Sequence, residues 1–210
     1  MPIFGRDRPS LECVGADDML DQKHRRGDRC GPQMLGEWED LGGQMASAVA
    51  LSSGGDERVD LVDCWLKKDG DGGYPMCFKR FLDDNIGWNN WEDCFCSFKG
   101  DPAVASLGTN RTEYFGIGTD GAMWSMTWIQ DNNRNSPAID LGRVPPIGTT
   151  RPPEHPAEFS IPLKLEGVKF SSSPTVLVTN GGRRIDVLGV GAEDDRLWHR
   201  SRIDDTWAGE

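Results

Sequence analysis

The 210-residue sequence lacks long apolar runs and has few apolar residues overall. Only 37% of its residues are hydrophobic, and no segment approaches the ~18 consecutive apolar residues of a membrane-spanning helix. The N-terminal segment MPIFGRDRPS contains no apolar stretch typical of a secretory signal. We therefore expect no membrane span and take the cytoplasm as the default compartment, with secretion as the alternative if the natural N-terminus is longer.

Residue patterns typical of metal sites are also missing. The three histidines lie far apart, and the cysteines lack the paired short spacing of a zinc site; they are Cys13, Cys30, Cys64, Cys77, Cys94 and Cys96. The turn KDGDGG at residues 68–73 is not an EF-hand loop, because Arg80 stands where such a loop needs a glutamate. We therefore expect no cofactor and no metal, and we interpret the cysteines as buried thiols, with a disulfide as the alternative in an exported protein.

The net charge and the absence of known motifs argue against further binding partners and against enzyme classes. The formal net charge of −11 disfavours duplex DNA and anionic membranes as partners, because like charges repel. No nucleophile elbow, P-loop, dinucleotide-binding glycine motif or HExxH motif occurs, so we expect no enzyme. A glycan-active enzyme stays an alternative, since the spatial separation of two carboxylates decides that chemistry.

The sequence contains an internal repeat. Each copy predicts a strand, an acidic or glycine-containing turn and a second strand; the copies are RPSLECVGADDMLDQKH (8–24), the longer-turned RVDLVDCWLKKDGDGGYPMCFKRF (58–81), RTEYFGIGTDGAMWSMT (111–127) and RRIDVLGVGAEDDRLWHRS (183–201). An apolar strand precedes three of them, as SAVAL (47–51), PAVASL (102–107) and PTVLVT (174–179). The segments WEDLGG (38–43) and WEDCFC (91–96) predict a fourth, outer strand.

Four strands in about 50 residues are typical of a β-propeller blade. We predict an all-β fold, a β-propeller of four-stranded antiparallel blades, with units at about 1–43, 44–96, 97–167 and 168–210. A proline- and asparagine-rich insert at 130–158 predicts a surface loop in the third unit. A β-sandwich and an open β-solenoid are the alternative folds.

Four units leave three alternatives for ring closure. The units close as a small ring, another chain completes the ring in a homo-oligomer, or the units belong to a longer protein. Because an open arc exposes blade faces and sheet edges, we expect the isolated chain to be oligomeric or poorly stable.

Several of these segments resemble a known family. LWHR (197–200) after GAEDD, the recurring WEDLGG and the run SSSPTV into an apolar strand are similar to the tandem repeats of PLL-like propeller lectins, the fucose-binding propellers of bacteria and fungi. The resemblance covers nearly the whole chain except the insert. The sequence departs from the family pattern at two places. Leu20 stands where the other copies have a tryptophan, and YPMCFKR replaces the tryptophan-bearing strand in the second unit. It implies non-catalytic carbohydrate binding, with fucosylated glycans as partners, at pockets between blades.

A sugar site needs an aromatic face for the C–H side of the ring and polar groups for the hydroxyls. In the third strands of the units, the candidates are Trp124, Trp198, His199 and Arg200; in the fourth strands, they are Trp38, Trp91 and Trp207. The competing interpretation is that these tryptophans pack between blades and that the chain is a protein-interaction scaffold without sugar binding.

Overall fold

The computed structural model describes residues 10–14, 20–25, 35–55, 58–81, 87–108, 110–130, 157–159, 163–204 and 206–208. Over these residues the chain forms sixteen β-strands in four antiparallel sheets, which we call blades 1 to 4 in chain order. The predicted all-β fold is confirmed. Among the described residues, no helix has the length and apolar character needed to cross a membrane.

Blades 1 and 2 are meanders in which each strand pairs with the next. The described strands of blade 1 are β1 (Ser10–Val14), β2 (Leu20–Arg25) and β3 (Leu35–Asp40). Those of blade 2 are β4 (Ala50–Gly55), β5 (Arg58–Cys64), β6 (Tyr74–Phe81) and β7 (Glu92–Phe98). The segment WEDLGG thus begins in the last strand of blade 1 and ends in the link to blade 2.

Blades 3 and 4 follow the same order. Blade 3 contains β8 (Ala103–Ser106), β9 (Arg111–Ile117), β10 (Ala122–Gln130), β11 (Ala157–Phe159) and β12 (Leu163–Lys169). Blade 4 contains β13 (Thr175–Thr179), β14 (Arg184–Val190), β15 (Leu197–Ile203) and β16 (Thr206–Trp207). In blade 3, β11 and β12 pair with opposite halves of β10 and together form the outer strand. Most of the predicted insert, residues 131–156, lies outside the described residues, and the exact unit boundaries stay a prediction.

The chain passes from blade to blade in the same way three times. After each outer strand, an isolated bridge joins it to the end of the next blade's second strand; the pairs are Met45 and Trp65, Phe98 and Gly118, and Phe170 and Gly191. Equivalent links are also bonded to one another: Ala48 N donates to Asp101 Oδ1 over a sequence separation of 53 residues, and Asp101 N donates to Ser173 Oγ over 72. The second separation is longer because residues 101–173 include the insert.

Side-chain alternation gives each inner blade two buried faces. The blade 2–blade 3 interface includes Val62, Phe78, Tyr114, Met126 and Trp128. The blade 3–blade 4 interface includes Ala105, Phe115, Ile117, Ile185 and Val187. Burial of both faces of blade 3 therefore accounts for much of the core.

A buried ion cluster centred on Asp60 joins blades 2 and 3. Its Oδ1 lies 3.0 Å from Arg58 Nη2 and 3.0 Å from Arg80 Nε, and its Oδ2 accepts hydrogen bonds from the hydroxyls of Ser106 and Thr112 in blade 3. The guanidinium carbon of Arg80 lies 3.6 Å from the centroid of the Trp128 ring. Both arginines and the carboxylate are buried, so each charge depends on the others for its stability in the interior.

Replacing Asp60 with alanine should leave two arginines buried without their counter-ion. We expect D60A to lower the free energy of unfolding by about 3–5 kcal/mol, measured by urea denaturation. The control is D204A, which breaks the exposed Arg183–Asp204 pair and should change stability little. Equal effects of the two variants would show that Asp60 contributes no more to stability than an exposed ion pair does.

Asp63 is a second buried carboxylate of blade 2, near the link from blade 1. It accepts hydrogen bonds from Ser47 Oγ and from the amide of Cys64, yet burial raises its pKa from 3.8 to about 6. The folded state therefore binds a proton more tightly than the unfolded state does. The stability that this proton contributes is complete below pH 3.8 and is lost as the pH rises through about 6.

The Asp63 pKa predicts how stability changes with pH. Relative to D63N, the wild type should lose roughly 2–3 kcal/mol of unfolding free energy between pH 4 and pH 7, measured by urea denaturation at both values. D204N is the control. Because Arg183 lowers the pKa of Asp204, the wild type should not lose stability relative to D204N as the pH rises, and any difference should have the opposite sign. A wild-type curve parallel to that of D63N would contradict the raised pKa.

Four of the cysteines have described side chains, and all four are free thiols. Burial raises the pKa of each of them, to about 12 for Cys64. Because the thiolate is the reactive form, these residues act as packing side chains in the folded state. The interpretation as buried thiols agrees with this geometry, while Cys13 and Cys30 have no described side chain.

Candidate functional site

A pocket of about 470 Å³ opens between blades 3 and 4. It lies where the turn between β9 and β10, the strand β12 and the turn between β14 and β15 approach one another. Its lining residues are Asp120, Ala122, Lys164, Gly167, Val168, Lys169, Glu193, Asp194 and Trp198. The pocket therefore combines an indole ring with three carboxylates and two ammonium groups.

On the blade 3 side, Asp120 is held in place by three donors. Its Oδ1 accepts hydrogen bonds from the amide of Ala122 at 2.9 Å and from Trp124 Nε1 at 3.2 Å, and its Oδ2 lies 2.9 Å from Lys164 Nζ. The hydrogen bond from Lys164 is the largest cause that lowers the pKa of Asp120 to about 2. Asp120 is therefore an oriented, ionised acceptor near neutral pH.

On the blade 4 side, Asp194 repeats this arrangement. It accepts a hydrogen bond from the amide of Arg196 at 3.1 Å, and Trp198 Nε1 lies 3.3 Å and 3.2 Å from its two oxygens. These bonds, with the backbone bond as the largest cause, lower the pKa of Asp194. The Trp198 side of the pocket is open, since this residue is 42% exposed.

A glycine makes each tryptophan–aspartate pair possible. A Cβ at Gly118 would lie 2.7 Å from Trp124 Nε1 and 2.9 Å from Asp120 Oδ1. A Cβ at Gly191 would lie 2.8 Å from Trp198 Nε1 and would also collide with the carboxylate of Asp194. Because real Cβ atoms do not approach side chains so closely, a larger residue at either position would displace the indole.

Among the residues predicted from the third strands, the structure brings Trp198 into the pocket. Trp124 is half-buried and reaches the pocket wall through its bond to Asp120. His199 points to the other face of β15, where its Nε2 lies 2.7 Å from Asp186 Oδ1. The guanidinium carbon of Arg200 lies 5.6 Å from the centroid of Trp207, outside the pocket lining.

Two of the tryptophans predicted from the fourth strands, Trp207 and Trp91, lie outside the pocket lining. Trp207 is only 3% exposed and packs edge-on against Phe115 across the blade 3–blade 4 interface. Trp91 Nε1 donates to the carbonyls of Leu41 and Gly42, in the link between blades 1 and 2. Trp38 lies in β3, and its side chain is outside the described part of the chain. The seven predicted residues therefore do not form one pocket.

The sequence interpretation missed the charged residues of the pocket. Asp120 and Asp194 carry a readable signal, because each precedes its tryptophan by four residues and follows a glycine after a strand. Lys164 and Lys169 carry no such signal, since they follow the insert and their positions depend on how β12 pairs with β10.

Comparison with known proteins supports the fold. Searches against protein-family models and curated proteins gave no match. The chain is similar to the crystal structure of the BP39L lectin from Burkholderia pseudomallei, with a TM-score of 0.64 and 14% identity over 96% of this chain and 51% of that one. It is also similar to a mutant of the Aleuria aurantia lectin AAL in complex with Fucα1-6GlcNAc, with a TM-score of 0.52 and 12% identity over 95% of this chain and 55% of that one.

The chain therefore spans about half the length of the two lectins, at an identity that shows the fold alone. Both neighbours are β-propeller lectins, and the predicted propeller architecture of antiparallel blades is confirmed. Over the described residues, blades 2 and 4 have four strands, blade 3 has four strand positions and blade 1 has three strands.

The ion pair between Lys164 and Asp120 can be tested directly. We expect K164M to raise the pKa of Asp120 from about 2 toward 3.8, because the variant removes the largest cause of its lowering. Side-chain carboxyl NMR titration measures this pKa, with Asp194 as the internal control that should not move. An unchanged Asp120 pKa in K164M would show that Lys164 does not contact the carboxylate.

Proposed function

We propose that the protein is a non-catalytic carbohydrate-binding protein, a lectin that takes fucose or a related monosaccharide in the pocket between blades 3 and 4. The observation that carries this proposal is the exposed indole of Trp198 at a pocket with oriented carboxylates. The fold similarity to two lectins, one solved with a fucose-containing disaccharide, is consistent with it. The repeat resemblance to PLL-like lectins points to the same ligand class.

The pocket offers both kinds of contact that a monosaccharide requires. One face of a pyranose ring carries C–H groups that pack on an aromatic surface, and its hydroxyls need acceptors and donors in fixed positions. Trp198 supplies the aromatic surface, Asp120 and Asp194 supply acceptors, and Lys164 supplies a donor. A small neutral sugar fits a pocket of about 470 Å³ without placing a further charge in it.

The fixed orientation of the carboxylates matters for affinity. Asp194 accepts hydrogen bonds from a backbone amide and from the indole of Trp198, so the carboxylate and the aromatic surface keep a fixed position relative to each other. Binding to such a preorganised pair costs little side-chain ordering entropy. Trp124 and Asp120 repeat this pair in blade 3, so Trp124 stays a candidate for a second site of the same kind, and two weak sites would raise avidity.

The proposal is tested by calorimetric titration with L-fucose and with a panel of other monosaccharides. We expect W198A to bind the preferred sugar about five- to twelve-fold more weakly, since an aromatic contact is worth roughly 1–1.5 kcal/mol. L66A is the matched control, because Leu66 has the same 42% exposure but lies in the long turn of blade 2. Its affinity should equal that of the wild type.

Three outcomes would overturn the proposal in distinguishable ways. A folded wild type, checked by circular dichroism, that binds no sugar of the panel would favour the interaction scaffold. Equal affinities of W198A and the wild type would show that the sugar binds outside this pocket. Release of reducing sugar from a panel of glycosides would show a glycan-active enzyme.

A further inference from the structure

We propose that a second sugar site of the same kind exists between blades 2 and 3, and that the long turn of blade 2 keeps it closed. We call this turn, residues 66–73, the strap. The proposal rests on the proposed function, because it assigns the same ligand class, a small neutral monosaccharide, to a second crevice between blades.

The strap belongs to a turn that is longer in blade 2 than in blades 3 and 4. In each of these blades, an amide just after the second strand donates to a carbonyl near the start of the third strand; the pairs are Trp65 and Pro75, Gly118 and Ala122, and Gly191 and Arg196. Nine residues lie between the two partners in blade 2, three in blade 3 and four in blade 4. Blade 2 therefore has more chain at this position than the hairpin requires.

Blade 3 carries the aromatic and acidic pair of a site. Trp124 has the register position in β10 that Trp198 has in β15, and each indole donates to the aspartate four residues before it. Trp124 packs on the cluster between blades 2 and 3 and is only half-buried. The pair of Trp124 and Asp120 therefore lies at the crevice between blades 2 and 3, as Trp198 and Asp194 lie at the pocket between blades 3 and 4.

Two residues of the pocket lining also have equivalents at this crevice. Lys169 and Ser97 each precede the phenylalanine that bridges to the next blade. Glu193 and Thr119 each precede the aspartate that accepts the indole bond. Because Lys169 and Glu193 line the pocket between blades 3 and 4, Ser97 and Thr119 mark the equivalent volume between blades 2 and 3.

The last residue of the strap fills this volume. A Cβ on Gly73 would lie 2.9 Å from Ser97 Cβ and 3.0 Å from Thr119 Cγ2. Gly73 is buried, although residues 66–72 before it are all exposed. Its backbone thus packs between the two residues that mark the volume, and a sugar ring cannot enter while the strap keeps this position.

The contacts of the strap allow it to move away. Ser97 Oγ donates to Asp69 Oδ2, and Lys68 Nζ lies 4.8 Å from the centroid of the Tyr74 ring; these contacts tie the strap to the outer strand and to β6. The segment 70–73 contains three glycines, and its backbone bonds to Asp69 stay inside the strap. Opening the strap therefore breaks no strand pairing of blade 2.

A closed site binds weakly in proportion to the time it is open. If the strap is open in only a fraction of the molecules, the apparent dissociation constant is the intrinsic one divided by that fraction. Removing the strap, or the hydrogen bond between Ser97 and Asp69, should therefore reveal the site without changing any residue of the Trp124–Asp120 pair.

The experiment is calorimetric titration with L-fucose and the monosaccharide panel. In the first variant, residues 66–74 are replaced by the three-residue turn of blade 3, and we expect the number of sites per chain to rise by one. S97A keeps the whole turn and loses only the bond to Asp69, so it should gain the same site at lower affinity. S53A is the matched control, because it removes a serine hydrogen bond at the opposite end of blade 2 and should gain no site.

The background of W198A, in which the pocket between blades 3 and 4 is weakened, locates the gained site. There the shortened turn should restore binding at about the wild-type affinity, which is about five- to twelve-fold tighter than that of W198A alone. Adding D120N should remove this gain, because it takes the charge from the acceptor beside Trp124.

The outcomes separate this proposal from the lectin proposal. A wild type that binds sugar, with variants that gain no site, would overturn the strap and leave the lectin proposal standing. A gained site that persists with D120N would lie elsewhere and would also overturn it. If the shortened turn prevents folding, as circular dichroism would reveal, S97A alone decides. Folded wild type and variants that all bind no sugar would overturn the lectin proposal as well.

Discussion

The architecture depends on the burial of charge between neighbouring blades. A blade has an apolar face that excludes water, yet its second strand carries an acidic residue at the centre, as Asp60 in blade 2 and Glu113 in blade 3. Each is tolerated because a partner crosses the interface: Ser106 and Thr112 donate to Asp60, and Arg202 of blade 4 lies 2.5 Å from Glu113. Such pairs are costly to break but add little net stability when intact, so we infer that they serve to select one arrangement of the blades.

The pocket follows from the same arrangement. Each crossover brings the end of an outer strand beside the turn of the next blade, as the bridge between Phe170 and Gly191 shows. The turns are short and acidic. In blades 3 and 4, the strand that follows the turn carries a tryptophan near its first residue. The fold therefore places an indole, a carboxylate and the preceding outer strand together wherever these residues occur. Blade 2 lacks this combination, because the buried Cys77 occupies the register position of Trp124 and Trp198.

The sequence contained enough information to predict the repeat and the blade, because hairpin turns and alternating strands are local signals. It was less informative about which tryptophans face solvent. Trp207 and Trp198 look alike in the sequence, but Trp207 lies on a short edge strand that packs on Phe115, whereas Trp198 lies beside a pocket. His199 follows Trp198 directly and therefore points to the opposite face of β15. Lys164 comes to Asp120 only through tertiary pairing across the insert, which no local pattern specifies.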